Sequence, residues 1–141
     1  MKYVFSSTDV KRYRFPTHIN ELVIDRSESA ASEVFFVQLA RGEAPPCHKH
    51  DDAEQLFYML EGCGTLVIGD GKQVLAVKPG DIVRIPPKVL HTLRADCGEP
   101  VRYLAIDCFT GGPSKSEPTW DAHVLRLCKE HGWDYESVRR G

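Results

Sequence analysis

The sequence lacks the long apolar run that a membrane-spanning helix needs. No stretch approaches the roughly 20 consecutive apolar residues of such a helix. It also has little net charge, because 18 Lys and Arg residues stand against 20 Asp and Glu residues, a formal charge of -2. This balance argues against binding to nucleic acid or to an anionic membrane surface through bulk charge. With 42% hydrophobic residues in 141, we expect one globular domain over residues 1–141.

The sequence also shows no sign of a leader or of a disulfide framework. Residues 1–10 contain one Lys and no apolar segment of the kind found in secretory signal peptides. The five cysteines are an odd number, and no two of them have C-x-x-C spacing. From these two absences we expect reduced thiols and a cytoplasmic location.

Glycine and proline divide the chain into short segments rich in Val, Ile, Leu, Phe and Tyr. Many short apolar segments at close spacing are typical of an all-β sandwich or barrel. The stretch Gly69-Asp70-Gly71-Lys72 predicts a hairpin turn, because glycine adopts positive φ without a steric clash. Residues 11–20 show no clear period and receive no assignment. The predicted strands are residues 22–25, 34–40, 55–60, 65–68, 74–77, 82–85, 91–95 and 101–109.

A change of character after Gly112 predicts a helical tail. Thr119 offers an N-cap hydroxyl, and Gly132 is suited to end a helix. Between them lies a stripe at helical spacing. We expect the strands to form a barrel core over about residues 19–110 and the tail, about 114–141, to pack outside it. The stripe consists of Trp120, Val124, Leu127 and His131.

Three histidines are candidate metal ligands. His48 and His50 are two residues apart, so an extended backbone turns both imidazoles to one face. His91 lies in another predicted strand. Three imidazoles converging inside a barrel would bind one divalent ion per chain, such as Zn, Ni, Fe or Mn. The remaining histidines are interpreted as packed or surface residues: His18, His123 and His131.

The spacing around these histidines resembles the two sequence motifs of the cupin family. The family's first motif is Gly, five residues, His-x-His, three or four residues, Glu, six residues and Gly. This chain has Gly42, then His48 and His50 at the same spacing, then Gln55 and Gly62. The second motif follows after seventeen residues. Two independent motifs in the correct order are more specific than either one alone.

The family's second motif is Gly, five residues, Pro-x-Gly, two residues, His, three residues and Asn. Here it begins at Gly80, and Pro86 and His91 occupy the matching positions. Lys88 replaces the second glycine, and Ala95 replaces Asn. The resemblance implies an all-β jelly-roll barrel, or double-stranded β-helix, with the predicted C-terminal helix outside it. It also implies a homodimer, since small cupins are typically dimers.

The fourth ligand position departs from the family pattern, because Gln55 stands where cupins have Glu. Glu54 is the alternative, since three residues separate it from His50, a spacing that the family's first motif also allows. However, Glu54 leaves seven rather than six residues before Gly62. It also lies on the opposite face of the strand from Gln55, because neighbouring residues alternate. We therefore favour Gln55 and keep Glu54 open.

A neutral ligand set changes the expected chemistry. Three imidazoles and an amide oxygen leave the full charge on the metal, which favours Lewis-acid catalysis. Some cupins acting on sugar acids use three His and a Gln, and this chain resembles that subset. The set differs from the two-His-one-carboxylate site of non-heme Fe(II) oxygenases.

The sequence leaves three classes of function open for this protein. The first is an isomerase, epimerase or lyase acting on a small polyoxygenated acid; the second is an iron- or manganese-dependent dioxygenase; the third is a non-catalytic module that binds or senses a small molecule. In each case we expect a small, anionic ligand. Cys47 is interpreted as a buried structural residue. Four side chains are possible acid-base groups, although each is expected to be a core or surface residue: Glu54, Tyr58, Tyr103 and Asp107.

Overall fold

The computed structural model describes residues 1–70 and 73–141. The predicted turn at residues 69–72 includes two residues outside this described part. The strands are β1 (Lys11–Phe15), β2 (His18–Ile24), β3 (Ser32–Leu39), β4 (Ala53–Glu61), β5 (Gly64–Ile68), β6 (Gln73–Val77), β7 (Ile82–Ile85), β8 (His91–Arg94) and β9 (Val101–Phe109), and the helices are α1 (Trp120–His131) and α2 (Tyr135–Arg139).

The strands form two antiparallel sheets. The larger has the order β1-β2-β3-β9-β4-β7, and the smaller has the order β6-β5-β8. Buried and partly exposed residues alternate strictly along β3 and β9, as expected for strands with one face on a core. One hydrophobic core includes residues from both sheets. The predicted all-β class with C-terminal helices is confirmed.

The larger sheet begins at Lys11, not near residue 19 as expected. Strand β1 pairs with β2 along its whole length. Tyr13 and Phe15 are buried, whereas the other three residues of the strand are charged and exposed. The apolar alternation therefore covers only two side chains, too few to reveal a strand in the sequence.

Helix α1 has the ends that the sequence predicted. The Thr119 hydroxyl accepts a hydrogen bond from the Ala122 N–H at 3.1 Å, and Gly132 ends the helix with φ of 70°. The ring of Trp120 packs against that of Phe35 on β3, with 4.6 Å between centroids. The predicted packing of the helix against the barrel is confirmed for Trp120, which is buried.

None of the helices in residues 1–70 and 73–141 is long and apolar enough to span a membrane.

Candidate metal centre

Backbone hydrogen bonds bring the three predicted histidines together. The N–H of His48 donates to the carbonyl of His91 at 3.1 Å, and the N–H of His91 donates back at 2.9 Å. The carbonyl of His50 accepts from the N–H of Lys88 at 2.7 Å. As a result, one ring nitrogen from each of His48, His50 and His91 lies within 4.8 Å of the other two. The three imidazoles could therefore hold one metal ion.

Lys88 adopts a backbone conformation that favours glycine. Its φ is 68°, in the left-handed region where a side chain costs about 1–2 kcal/mol. The family's second motif has glycine at this position. Local strain is therefore retained in the turn that is hydrogen-bonded to His50.

Two of the rings have a tautomer set by the backbone. Nδ1 of His48 is 2.7 Å from the carbonyl oxygen of Pro46, and Nδ1 of His91 is 2.9 Å from that of Val89. A carbonyl oxygen only accepts, so both Nδ1 atoms carry the proton. In the neutral ring, Nε2 then has a free lone pair, as a metal ligand requires.

Gln55 faces these imidazoles. Its Nε2 donates to Asp107 Oδ1 at 2.7 Å, which turns Oε1 toward His91. Oε1 is 2.8 Å from His91 Nε2. Burial lowers the pKa of His91 to about 4, so the neutral ring has no second proton to donate here. Two acceptor atoms thus face each other, an arrangement that a cation bound by both would stabilise.

His50 provides the clearest test of whether a metal fits. Its Nε2 atom is buried and has no hydrogen-bond partner among the described residues. Desolvation by burial is the main cause that lowers the pKa of this ring well below its usual value, so the ring stays neutral at pH 7. An unpartnered buried polar atom costs roughly 1–3 kcal/mol. A divalent ion bound by Nε2 would remove that cost, and the residues therefore fit a metal.

A buried network supports the amide of Gln55. Asp107 on β9 pairs with Glu33 on β3, and their carboxyl groups are hydrogen-bonded. Arg26 donates to both oxygens of Glu33, at 2.7 and 3.0 Å. Desolvation raises the pKa of both acids, so the pair keeps one proton, and Arg26 balances the remaining negative charge.

One cavity contains this centre, and all six histidines of the chain line it. His18 and His123 are buried and His131 is exposed, as expected for packed or surface residues, and the cluster of three imidazoles contains none of them. His123 and His131 lie at helical spacing with Trp120 and project into the cavity from α1. The helical stripe in the sequence includes His131, but such a stripe by itself indicates only a packing surface.

Helix α1 and the segment before it place a histidine paired with a carboxylate beside the cavity. Nδ1 of His123 is 3.4 Å from a carboxylate oxygen of Glu117. The rings of His123 and His50 are 6.4 Å apart. Chiefly because of the hydrogen bond from His123, the pKa of Glu117 falls to about 2, so Glu117 is ionised and orients the ring.

The candidate acid-base residues and Cys47 from the sequence analysis lie in different environments. Tyr103 and Asp107 line the cavity and are buried, whereas Tyr58 is 45% exposed. Cys47 is exposed, so its interpretation as a buried residue is wrong. It lies in an irregular loop that leaves its side chain outside the core.

The cavity is small and largely apolar. Its volume is about 90 Å³, whereas one water needs roughly 10–15 Å³. Apolar walls come from residues such as Phe35, Val37 and Phe57. The cavity therefore has room for a small molecule between these apolar walls and the polar side chains of the candidate metal centre.

We expect Gln55→Ala to weaken metal binding by about 10–100-fold and Glu54→Ala to leave it nearly unchanged. Gln55 is 4% exposed and lines the cavity, whereas Glu54 is half-buried on the alternate face of β4. Competition with a fluorescent chelator measures both affinities. Loss of affinity in Glu54→Ala alone would place a carboxylate in the site instead.

Acid is expected to destabilise the metal-free protein through His18. Burial is the main cause that lowers its pKa from 6.5 to about 3. Between these values the unfolded chain binds a proton that the folded protein does not, so stability falls as the pH falls. The loss is about 1.4 kcal/mol per pH unit, or roughly 2–3 kcal/mol from pH 6.5 to 4.5.

Urea unfolding in the presence of a chelator, repeated across this pH range, measures the effect. The variant His18→Gln is expected to lose roughly 2–3 kcal/mol less than the unsubstituted protein over the same interval. Parallel curves for the two proteins would contradict the prediction.

Comparisons with known proteins identify the family of the chain. The cupin domain family profile matches residues 35–107. The uncharacterized protein MJ1618 of Methanocaldococcus jannaschii is 35% identical over 72 residues, which are 51% of this chain and 54% of that protein. The chain thus matches about half the length of this curated relative.

Solved structures share the fold at low identity. The crystal structure of a predicted oxalate decarboxylase from Thermotoga maritima has a TM-score of 0.65 and 18% identity, covering 76% of this chain and 99% of that one. KdgF from Halomonas sp. has a TM-score of 0.64 and 16% identity, covering 75% and 94%. A double-stranded β-helix protein from Klebsiella pneumoniae has a TM-score of 0.66 and 19% identity, covering 80% and 95%. The predicted double-stranded β-helix is confirmed.

Proposed function

The chain belongs to the cupin domain family, and we propose that it binds a divalent metal and uses it to bind and transform a small, oxygen-rich acid. The reaction class we propose is isomerisation, epimerisation or elimination on a polyoxygenated acid such as a sugar acid. The observation that carries this proposal is a set of neutral groups, His48, His50, His91 and Gln55, around one point of the cavity.

Charge is the reason for proposing an acid. Four neutral ligands would leave about two positive charges on a divalent ion. Arg26 balances the nearby buried acids, so that network adds little net charge to the site. In an apolar cavity, low dielectric strengthens the attraction between a cation and an anionic ligand. A chelating carboxylate would offset the metal charge, whereas a neutral apolar ligand would leave it uncompensated.

Such a metal would supply Lewis-acid polarisation of a ligand oxygen when bound. The chain's own contribution includes a group that can move a proton. His123 supports this role because it lines the cavity and Glu117 orients its ring. Proton transfer to or from a substrate requires an approach to within roughly 2.6–3.2 Å, or one bridging water.

The proposal is tested on protein purified without a His-tag. Elemental analysis is expected to find about one divalent ion per chain. In thermal-shift assays, sugar acids and keto acids are expected to raise the melting temperature of the metal-loaded protein, and the corresponding neutral sugars are not. His91→Ala is the matched control, because an acid that needs the metal should not stabilise it.

The outcomes separate the three function classes. Stabilisation by neutral or apolar ligands alone would reject the anion proposal. Acids that bind and consume oxygen would favour a dioxygenase. Acids that bind without isomerisation, elimination or oxygen consumption would favour a binding or sensing module.

A homodimer and a cytoplasmic location stay predictions. Tyr58 on β4 pairs with Ile82 on the edge strand β7, and their side chains are 45% and 70% exposed. This apolar pair supports a proposed contact between two copies of the chain. Light scattering on the purified protein measures its molar mass and so tests whether it is a homodimer.

A further inference from the structure

Besides His50, two cavity residues have a buried polar atom with no hydrogen-bond partner in the described part of the chain. These atoms are Oδ1 of Asn20 and Nε1 of Trp120. Asn20 is 5% exposed and Trp120 is 2% exposed, and both line the same cavity as the candidate metal centre. Folded proteins leave few buried polar groups unpaired, because each costs roughly 1–3 kcal/mol. Whatever fills the cavity, a ligand or ordered water, can supply a partner for both atoms.

The two residues lie on one wall, away from the candidate ligands. Asn20 on β2 pairs with Val37 on β3, and Trp120 packs on Phe35, two residues farther along the same face of β3. In the larger sheet, β9 lies between β3 and β4, the strand that carries Gln55. A ligand bound to the metal centre therefore meets this wall with its far end.

The distance between the candidate metal centre and Trp120 is short. The ring of His123 is 6.4 Å from that of His50 and 5.3 Å from that of Trp120. A single small molecule, a few bonds long, can therefore meet the metal centre at one end and the indole at the other. This length also agrees with the small volume of the cavity.

We propose that Asn20 and Trp120 form the distal end of the ligand site and bind hydroxyl groups on the acid that the metal centre holds. This inference rests on the proposed function and narrows its ligand class. The Trp120 N–H is a donor, and Asn20 Oδ1 is an acceptor. A hydroxyl group both accepts and donates, so hydroxyl groups on the ligand can pair with both atoms.

Other end groups match this pair poorly. A second carboxylate can accept from the Trp120 N–H but cannot donate to Asn20 Oδ1, so it pairs with only one of the two atoms. A methyl group would leave both protein atoms unpaired in the complex. The site therefore selects hydroxy acids with distal hydroxyls over dicarboxylates and over simple acids with an alkyl chain.

Calorimetry with two matched acids tests the inference. Gluconate and 2-hydroxyhexanoate share a six-carbon chain and an α-hydroxy carboxylate, but only gluconate has distal hydroxyls. We expect the metal-loaded protein to bind gluconate at least about 10-fold more tightly, the equivalent of one good hydrogen bond. Trp120→Phe and Asn20→Leu are each expected to reduce gluconate affinity about 5–10-fold and to leave 2-hydroxyhexanoate affinity unchanged. Both variants should retain their metal.

Equal binding of the two acids, or equal losses for both in the variants, would overturn the distal site while leaving the proposed function intact. If the metal-loaded protein binds neither acid, the proposed function fails and this inference with it. Gln38→Leu is the matched control for Asn20→Leu. Gln38 lies on the opposite face of β3, where its amide donates to Glu21 at 2.6 Å, so its loss should not alter the preference between the acids.

A second measurement needs no ligand. Because Asn20 Oδ1 has no hydrogen-bond partner among the described residues, Asn20→Leu is expected to raise the melting temperature by about 2–4 °C. If Asn20 instead stabilised the fold, Asn20→Leu would lower the melting temperature. A lower melting temperature in Asn20→Leu, together with unchanged selectivity, would therefore overturn the assignment.

Discussion

Replacing His91 by Ala is expected to reduce divalent-metal affinity by more than about 100-fold. Loss of a group that only supports a metal ligand already costs about 10–100-fold, and His91 would be a ligand itself. Its ring is 2% exposed and lies against Oε1 of Gln55. Ala retains the backbone hydrogen bonds to His48, so the loop that carries the other imidazoles should stay in place.

Elemental mass spectrometry measures the metal content of the metal-reloaded protein and so tests this expectation. Circular dichroism verifies that the variant is folded. His131→Ala is the matched control, because His131 lines the cavity but lies outside the cluster of three imidazoles, and it should retain its metal. Full metal occupancy in His91→Ala would mean that these rings do not form the site.

Replacing Arg26 by Met is expected to reduce the free energy of unfolding by about 3–5 kcal/mol. Arg26 and Glu33 are both buried and form a two-bond ion pair. Without the guanidinium, the negative charge shared by Glu33 and Asp107 is uncompensated in a low-dielectric interior. The pair must then take up a second proton or admit water, and either change destabilises the fold.

Urea unfolding at pH 7 measures this loss. Arg14→Met is the matched control, because the Arg14–Glu43 pair at 3.2 Å has an arginine that is 42% exposed, and such pairs contribute about 1 kcal/mol or less. The double variant Arg26→Met with Glu33→Leu should recover much of the loss, since apolar groups can replace a buried ion pair. A loss below 1 kcal/mol in Arg26→Met alone would show that the pair does not retain a buried charge.

The network also connects stability to the candidate site. Arg26 donates a hydrogen bond to Glu33, and the carboxyl group of Glu33 is hydrogen-bonded to that of Asp107. Asp107 in turn accepts a hydrogen bond from the amide of Gln55. The same contacts that balance the buried charge therefore point Oε1 of Gln55 at the imidazoles. Metal affinity in Arg26→Met should be measured alongside stability for this reason.

Local patterns in the sequence predicted the strands and the three imidazoles. Short apolar segments between glycines and prolines predicted eight of the nine strands in the described residues, from β2 to β9, because alternation and turns are local properties. The His48-x-His50 spacing and His91 could be assigned because the family motifs record positions along the chain. The helix caps at Thr119 and Gly132 were readable for the same reason.

The other residues of the site can be assigned only from the way in which the strands and helix α1 pack together. Nothing near Asn20 or His18 in the chain shows that β2 faces the same cavity as β4. The role of α1 was hidden because an apolar stripe has the same pattern whether it covers a core or lines a cavity. Arg26, Glu33 and Asp107 are far apart in sequence, and their charges can balance only after β3 and β9 pair. Pairing between distant strands depends on the whole sheet, which is why local patterns cannot assign these residues.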